Sequence, residues 1–210
     1  MNITSNIQEI KNKAHNAQLI VVTKHQSIET IKKVYQIGER QFGENKVQDL
    51  IAKKDQLPAD IKWHMIGHLQ KNKVKLIAPF IYMIQSVDSL ELLKKINQHA
   101  EINKRQINCL IQIKIAQEIS KFGFNLESAN KLLQSDYQTE YPYVNINGLM
   151  GMATLTNNQI QIKKEFQSLI KLKKLINHKQ PIFSLGMSHD YEIASKLGSN
   201  MIRIGSAIFQ

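Results

Sequence analysis

Eight short apolar runs, separated by longer stretches of helical periodicity, constrain this chain more than any other feature. The runs are LIVVT (19–23), RQFGE (40–44), WHMIG (63–67), YMIQSV (82–87), NCLIQIKI (108–115), INGLMG (146–151), PIFSLG (181–186) and NMIRIG (200–205). Many are apolar at consecutive positions, as strands covered on both faces must be. Alternation with helices is the pattern of a parallel sheet wrapped by helices. The intervening segments carry helix punctuation. Residues 27–38 open on Ser27 and stop at Gly38, 89–102 follow Ser89, 126–135 follow Asn125, and 157–178 form the longest helical run. Asp190 to Leu197 stops at Gly198, and only a short helix over Lys71–Ile77 fits before Pro79.

Eight strands and seven connecting helical segments predict an α/β fold, a single closed (β/α)8 TIM barrel. The chain ends almost on its eighth run, so no helix is expected after it. The N-terminal segment, with Ile3, Ile7, Ile10 and Ala14 on one side, is expected to complete the helical ring. No linker or shift in composition divides residues 1–210, which therefore read as one domain. An open doubly wound sheet is the competing architecture, but no Gly-x-Gly-x-x-Gly turn follows the first run.

Composition excludes several classes. No stretch approaches the roughly 18–20 consecutive apolar residues that cross a bilayer. The first residues, MNITSNIQEIKNKAHNAQ, lack the continuous apolar region of a secretory signal, so the chain is expected to be cytoplasmic and off the membrane. The net charge of +11 invites a nucleic-acid reading, yet 25 of the 28 basic residues are lysines scattered over helix faces, and only Arg40, Arg105 and Arg203 are arginines. Nucleic-acid readers concentrate charge and add arginine forks or stacking aromatics. No specific nucleic-acid partner is expected. Cys109 has no partner for a disulfide and reads as a small buried hydrophobe.

In such barrels, residues at the C-terminal ends of the strands face the site. Lys24 follows four aliphatic residues, Leu19 to Val22, with only Thr23 between. A lysine carried by a buried strand into the barrel mouth is partly desolvated, which favours the neutral amine needed to form an imine. A lysine snorkelling from a strand end into water fits the position equally well. After the seventh and eighth runs, SLGMSHD and RIGSA place Gly186, Ser188, Gly205 and Ser206 where barrels often bind phosphate. Ordinary turn glycines would look the same. Arg203 lies among apolar neighbours and needs a partner, either an unprotonated heteroaromatic nitrogen or a strand-end acid such as Glu44. His64 and His68 flank Gly67 at a strand-to-loop transition, a poor arrangement for metal, and no metal site is expected. The pairs Glu44–Asp49 and Asp88–Glu91 read as helix-start charges.

The stretches VVTKHQS, RQFGENKVQD, WHMIGHLQKNK, SKFGF, GLMGMAT, SLGMSHDYEIA and MIRIGSAIF resemble, in order and spacing, the YggS/PROSC family of pyridoxal phosphate homeostasis proteins. The resemblance runs from about residue 19 to the last residue. It implies a lone barrel of the alanine racemase N-terminal type that carries pyridoxal 5′-phosphate and supports vitamin B6 homeostasis, with no dedicated reaction. It further implies that Lys24 forms a Schiff base with the cofactor, that Asn45 lies beside the ring, and that Arg203 meets the pyridine nitrogen. Ser188, Gly205 and Ser206 would hold the phosphate, and His64 and Met65 would line the pocket. Apo forms of pyridoxal-phosphate enzymes are the implied recipients, and the chain is expected to work as a monomer. The sequence departs from the family's pattern where His25, Gln26 and Ser27 replace a proline and second lysine, and where His68 replaces a proline. At its end GSAIFQ stands for GTAIFG, with no further tail, and Ser206 keeps the hydroxyl.

An unprotonated ring nitrogen opposite Arg203 is a weak electron sink, and racemisation also requires a second acid–base group on the opposite face. A carrier is therefore expected rather than an enzyme. The alternatives are a low-activity pyridoxal-phosphate-dependent racemase or related enzyme, and a lysine-imine aldolase that uses the phosphate loops for a sugar phosphate.

Overall fold

The computed structural model describes residues 2–118, 122–176 and 178–210. Eight strands pair in parallel and in sequence order, the eighth closing on the first: β1 (Gln18–Val22), β2 (Gln41–Glu44), β3 (Lys62–Met65), β4 (Met83–Val87), β5 (Ile107–Ile113), β6 (Val144–Gly151), β7 (Ile182–Ser184) and β8 (Met201–Ile204). Each predicted run contributes one of them. The barrel closes because the β1–β8 register runs from Gln18 opposite Met201 to Val21 opposite Ile204. Gly148 of β6 lets the neighbouring strand in: a Cβ there would lie 1.9 Å from the Ile182 carbonyl oxygen.

Helices α1 (Ile3–Lys13), α2 (Ile28–Gln36), α3 (Val47–Lys54), α4 (Val74–Ile77), α5 (Leu90–Ile102), α6 (Leu126–Gln134), α7 (Tyr137–Glu140), α8 (Gln159–Ile170), α9 (Tyr191–Lys196) and α10 (Ser206–Phe209) surround the barrel. The predicted caps form. Ser27, Ser89 and Asn125 accept from the N–H groups of Thr30, Leu92 and Ser128, the first-turn donors that have no acceptor inside the helix. Gly38 and Gly198 stop α2 and α9 with φ of +108° and +102°, a conformation costly to side-chain-bearing residues.

Three expectations change. The sequence reading named no helix over α3, whose one-turn apolar face, Val47 and Leu50, is short. The run over 157–178 divides into α8 and a tighter 3-10 turn, Lys171–Leu175. A further turn, α10, also follows the last strand. Helix α1 packs beside it, Asn6 Nδ2 donating to Ile208 O at 3.0 Å, and completes the helical layer with Ile7, Ile10 and Ala14 buried.

Apolar burial falls into two parts. The larger lies between barrel and helices, where Phe42, Leu50, Ile96, Phe166 and Leu169 are fully buried. The smaller fills the barrel's interior with Ile20, Met83, Leu110, Met150 and Met201. Successive strand residues point to opposite faces, so Leu19 and Val21 join the outer layer while Ile20 points inward. That alternation decides which strand-end side chains reach the barrel mouth.

Candidate functional site

A cavity of about 290 Å³ opens at the C-terminal ends of the strands, at the low end of the roughly 300–1,000 Å³ usual for small-ligand sites. Lys24, Asn45, Ser188, Arg203, Gly205 and Ser206 line it together. These groups come from the ends of four strands, β1, β2, β7 and β8. Val22, Ile66, Met152, Leu155 and Met187 supply an apolar wall, and His189 completes the lining. A roomier groove of about 540 Å³ lies beside His68 and Asp88, so the convergence of donors, not volume, singles out the barrel mouth.

Lys24 stands in a turn closed by the Gln26 N–H donating to Thr23 O at 3.0 Å, with His25 in the left-handed region at φ +63°. Thr23 is anchored from two sides. Its hydroxyl donates to Glu44 Oε1 at 2.5 Å, and its carbonyl accepts from Lys53 Nζ at 2.8 Å. Lys53 also pairs with Glu44 Oε1 at 2.7 Å, beneath the surface. The turn bearing Lys24 is thereby fixed from below by α3. Lys24 itself is exposed, so the partial desolvation expected from its strand does not arise from the protein around it.

Arg203 is buried on β8 and reaches into the barrel. Its Nη1 donates to the carbonyl and hydroxyl of Ser184, both at 2.6 Å, and its Nη2 to Gly151 O at 3.0 Å. A guanidinium carries five N–H donors. Three hydrogen bonds to described residues leave donors for the cavity. Burial lowers the guanidinium pKa to about 10, opposed by the charge of Asp190. It remains a cation at neutral pH. Glu44, weighed as its ion-pair partner, is engaged by Lys53 and Thr23 instead. Asp190 is itself buried, which raises its carboxyl pKa, while the Met187 N–H donating to Oδ1 at 2.6 Å opposes that rise.

On the phosphate-suited side, Ser188 Oγ accepts from the Ala207 N–H at 3.2 Å, tying the loop after β7 to α10. Gly205 has a negative φ of −125° with ψ −77°, outside the helical and extended regions, and a Cβ there would lie 3.3 Å from Val22. Ser206 is exposed on the cavity rim.

Three expected residues do not line the cavity. His64 is fully buried in the barrel interior, bonded to Gln41 and Gln85, and burial lowers its pKa to about 3. Met65, next along the strand, points outward into the helix layer, and it is Ile66 that returns to the cavity. Gly186 stands behind the wall. A Cβ there would lie 2.7 Å from Tyr191 Cα and 2.8 Å from Ala194 Cβ, so the glycine lets α9 approach the strand. The sequence reading assigned no role to Val22, Ile66, Met152, Leu155, Met187 or His189. Counting inward positions by twos from Ile20 would have found Val22. His68, at the proline position, stacks on Phe122 with ring centroids 3.8 Å apart and meets Asp88 Oδ2 at 2.8 Å. Of the SKFGF stretch, Ser120 and Lys121 lie outside the described residues.

A model of the alanine racemase N-terminal domain family matches residues 1–210. The chain belongs to this family, in its branch of pyridoxal phosphate homeostasis proteins. Proteins of that name from Schizosaccharomyces pombe and Helicobacter pylori are 34% and 37% identical to it, covering 99% and 93% of this chain and 89% and 88% of their own. These relatives are named for homeostasis and not for a reaction. Among solved structures, PipY of Synechococcus elongatus without PLP superimposes with a TM-score of 0.92 at 28% identity, over all of both chains. The same protein with PLP bound gives 0.85 at 27%, again over all of both chains. An alanine racemase of Clostridium difficile, at 15% identity and a TM-score of 0.78, shares the fold over 99% of this chain but 55% of its own.

Proposed function

We propose that the chain binds pyridoxal 5′-phosphate and serves vitamin B6 homeostasis as a carrier, with Lys24 holding the cofactor's aldehyde carbon as a Schiff base. The observation that carries this reading is the convergence of an amine, a buried guanidinium and two hydroxyls around one cavity. The residues fit the group. The spare donors of Arg203 match an unprotonated ring nitrogen, Asn45 can reach the ring edge, and Ser188, Gly205 and Ser206 suit a phosphate. When bound, the cofactor supplies a reactive aldehyde and an electron sink. Lys24 would contribute the nucleophile, and its exposure would leave the carbon it holds open to an incoming amine, such as a lysine of an apo-enzyme, which would bond to that carbon as the Lys24 amine leaves. Arg203, which keeps its protons at neutral pH, withholds a proton from the ring nitrogen and so keeps the sink weak. The apolar wall of Val22, Ile66, Met152 and Met187 limits water over the ring. The chain is proposed to act as a single barrel and a monomer in the cytoplasm. Among the described residues, no helix is long and apolar enough to cross a membrane.

The test is the visible spectrum of the purified protein after addition of the cofactor, followed by borohydride reduction and peptide mapping. A band above 400 nm and label on Lys24 are expected. Failure to take up cofactor would refute the reading, and label on another lysine would refute the assignment of Lys24. A second reading, slow amino-acid racemisation, is favoured by His189 on the cavity wall, its Nε2 3.2 Å from Asp190 Oδ2. It requires turnover of an amino acid that disappears in both Lys24→Ala and His189→Ala.

A further inference from the structure

Beneath the cavity, buried polar side chains cross the barrel in single file. Arg203 donates to Ser184 Oγ at 2.6 Å, Ser184 Oγ lies 2.6 Å from Gln85 Oε1, Gln85 Nε2 lies 3.0 Å from His64 Nδ1, and His64 Nε2 lies 2.6 Å from Gln41 Oε1. Ser184, Gln85 and His64 are fully buried, and the file runs from the start of β2 to the barrel mouth.

Chemistry fixes the direction of every link. A guanidinium has no acceptor, so Ser184 must accept from Arg203 and pass its own proton onward. The atom of Gln85 facing Ser184 is then the carbonyl oxygen. Its amide faces His64, so Nδ1 is the acceptor and the ring proton sits on Nε2, where Gln41 Oε1 receives it. Each dipole therefore turns its negative end toward Arg203. A chain of hydrogen bonds polarised in one sense strengthens its members in a dry interior, and it offsets the cost of burying the guanidinium.

We propose that Ser184, Gln85 and His64 are positioning residues that hold Arg203 as an oriented cation, so that the site accepts only a ligand offering an unprotonated ring nitrogen there. This rests on the cofactor reading above. It goes beyond that reading by naming the residues that set the electronic state of the bound ring without touching it. Nothing on the cavity wall other than Arg203 belongs to the file.

The test uses the full chain. Ser184→Ala and Gln85→Met each cut the file, and Ser184→Thr keeps the hydroxyl. Loss of one hydrogen bond to a charged group corresponds to roughly a tenfold change in an equilibrium constant. Ser184→Ala should therefore lose cofactor about tenfold more readily. Gln85→Met, which removes a neutral link, should lose it more readily than wild type. Both should shift the visible band, and Ser184→Thr should restore wild-type values. A band and retention unchanged in folded Ser184→Ala and Gln85→Met, while the wild type takes up cofactor normally, would overturn the proposal and leave the cofactor reading standing. Wild-type protein that takes up no cofactor would overturn the cofactor reading and, with it, the role of the file at a ring nitrogen. If the cutting variants do not fold, the wild-type protein still decides. Its ¹⁵N spectrum must show His64 as the neutral Nε2–H tautomer. The Nδ1–H tautomer would reverse the file and sink the proposal.

Discussion

Replacing Lys53 with methionine should destabilise the protein far more than its position near the surface suggests. Lys53 Nζ lies 2.7 Å from Glu44 Oε1 and 2.8 Å from Thr23 O, and only 12% of its side chain is exposed. Glu44 is wholly buried, and its second oxygen, Oε2, has no hydrogen-bond partner among the described residues. Lys53→Met would leave the carboxylate with the Thr23 hydroxyl and little else. Removing one partner of a buried pair costs about 3–5 kcal/mol, and partial exposure of Lys53 places this case near the lower figure. For a domain of this size, about 3 kcal/mol corresponds to a fall in Tm of about 6–12 °C. Glu44→Gln should cost much less, about 1 kcal/mol, because the lysine head can turn to water while its stem stays packed. The double variant should recover most of the loss caused by Lys53→Met. Thermal unfolding of the two single variants and the double variant, followed by circular dichroism, measures all three. A Lys53→Met protein melting within 2 °C of wild type, or a double variant less stable than Lys53→Met, would refute the reasoning.

Other consequences are as direct. Gly148→Ala should prevent folding or lower expression of soluble protein sharply, since the added Cβ would sit 1.9 Å from the backbone oxygen of Ile182; a normal melt would show that the β6–β7 contact yields. Burial lowers the pKa of His64 to about 3 from its ordinary 6.5, so the unfolded chain binds a proton between those values that the native protein does not. Unfolding free energy should consequently fall as pH drops through that window, by about 2 kcal/mol between pH 6.5 and 5. Urea unfolding at the two pH values should show a weaker dependence in His64→Met, and equal slopes would exclude His64 as the cause. Cys109, whose thiol burial pushes far above its usual pKa, should resist a thiol reagent until the protein unfolds, with labelling and unfolding rates coinciding.

The strands and their order were legible because a parallel barrel demands consecutive apolar residues, and the chain provides eight such runs with caps between them. Lys24, Asn45, Ser188, Gly205 and Ser206 were legible because each follows a strand at the barrel mouth, and Arg203 because a charged residue inside an apolar strand needs a partner. Phase within a short strand was not legible. β3 spans four residues, and nothing in WHMIG distinguishes the inward His64 and Ile66 from the outward Met65. The partner of Glu44 was missed for a related reason: Lys53 belongs to a helix whose buried face is only Val47 and Leu50.

The residues least visible in the sequence do the most to shape the site from beneath. Ser184 and Gln85 sit inside apolar runs and look like tolerated polar substitutions, yet a barrel interior offers no water to satisfy them. Their presence is stable only because each finds a partner on another strand, Gln85 on β4 with Ser184 on β7 and with His64 on β3. The two ends of the cavity consequently rest on separate supports with no member in common. Thr23, Glu44 and Lys53 fix the turn that carries Lys24, and Ser184, Gln85, His64 and Gln41 orient Arg203. An amine left exposed on a fixed turn can exchange what it holds, whereas a guanidinium locked in the core cannot change its charge or direction. That division, an exposed amine opposite a buried electrostatic anchor, would suit the proposed retention with release better than it would suit the stabilisation of a carbanion.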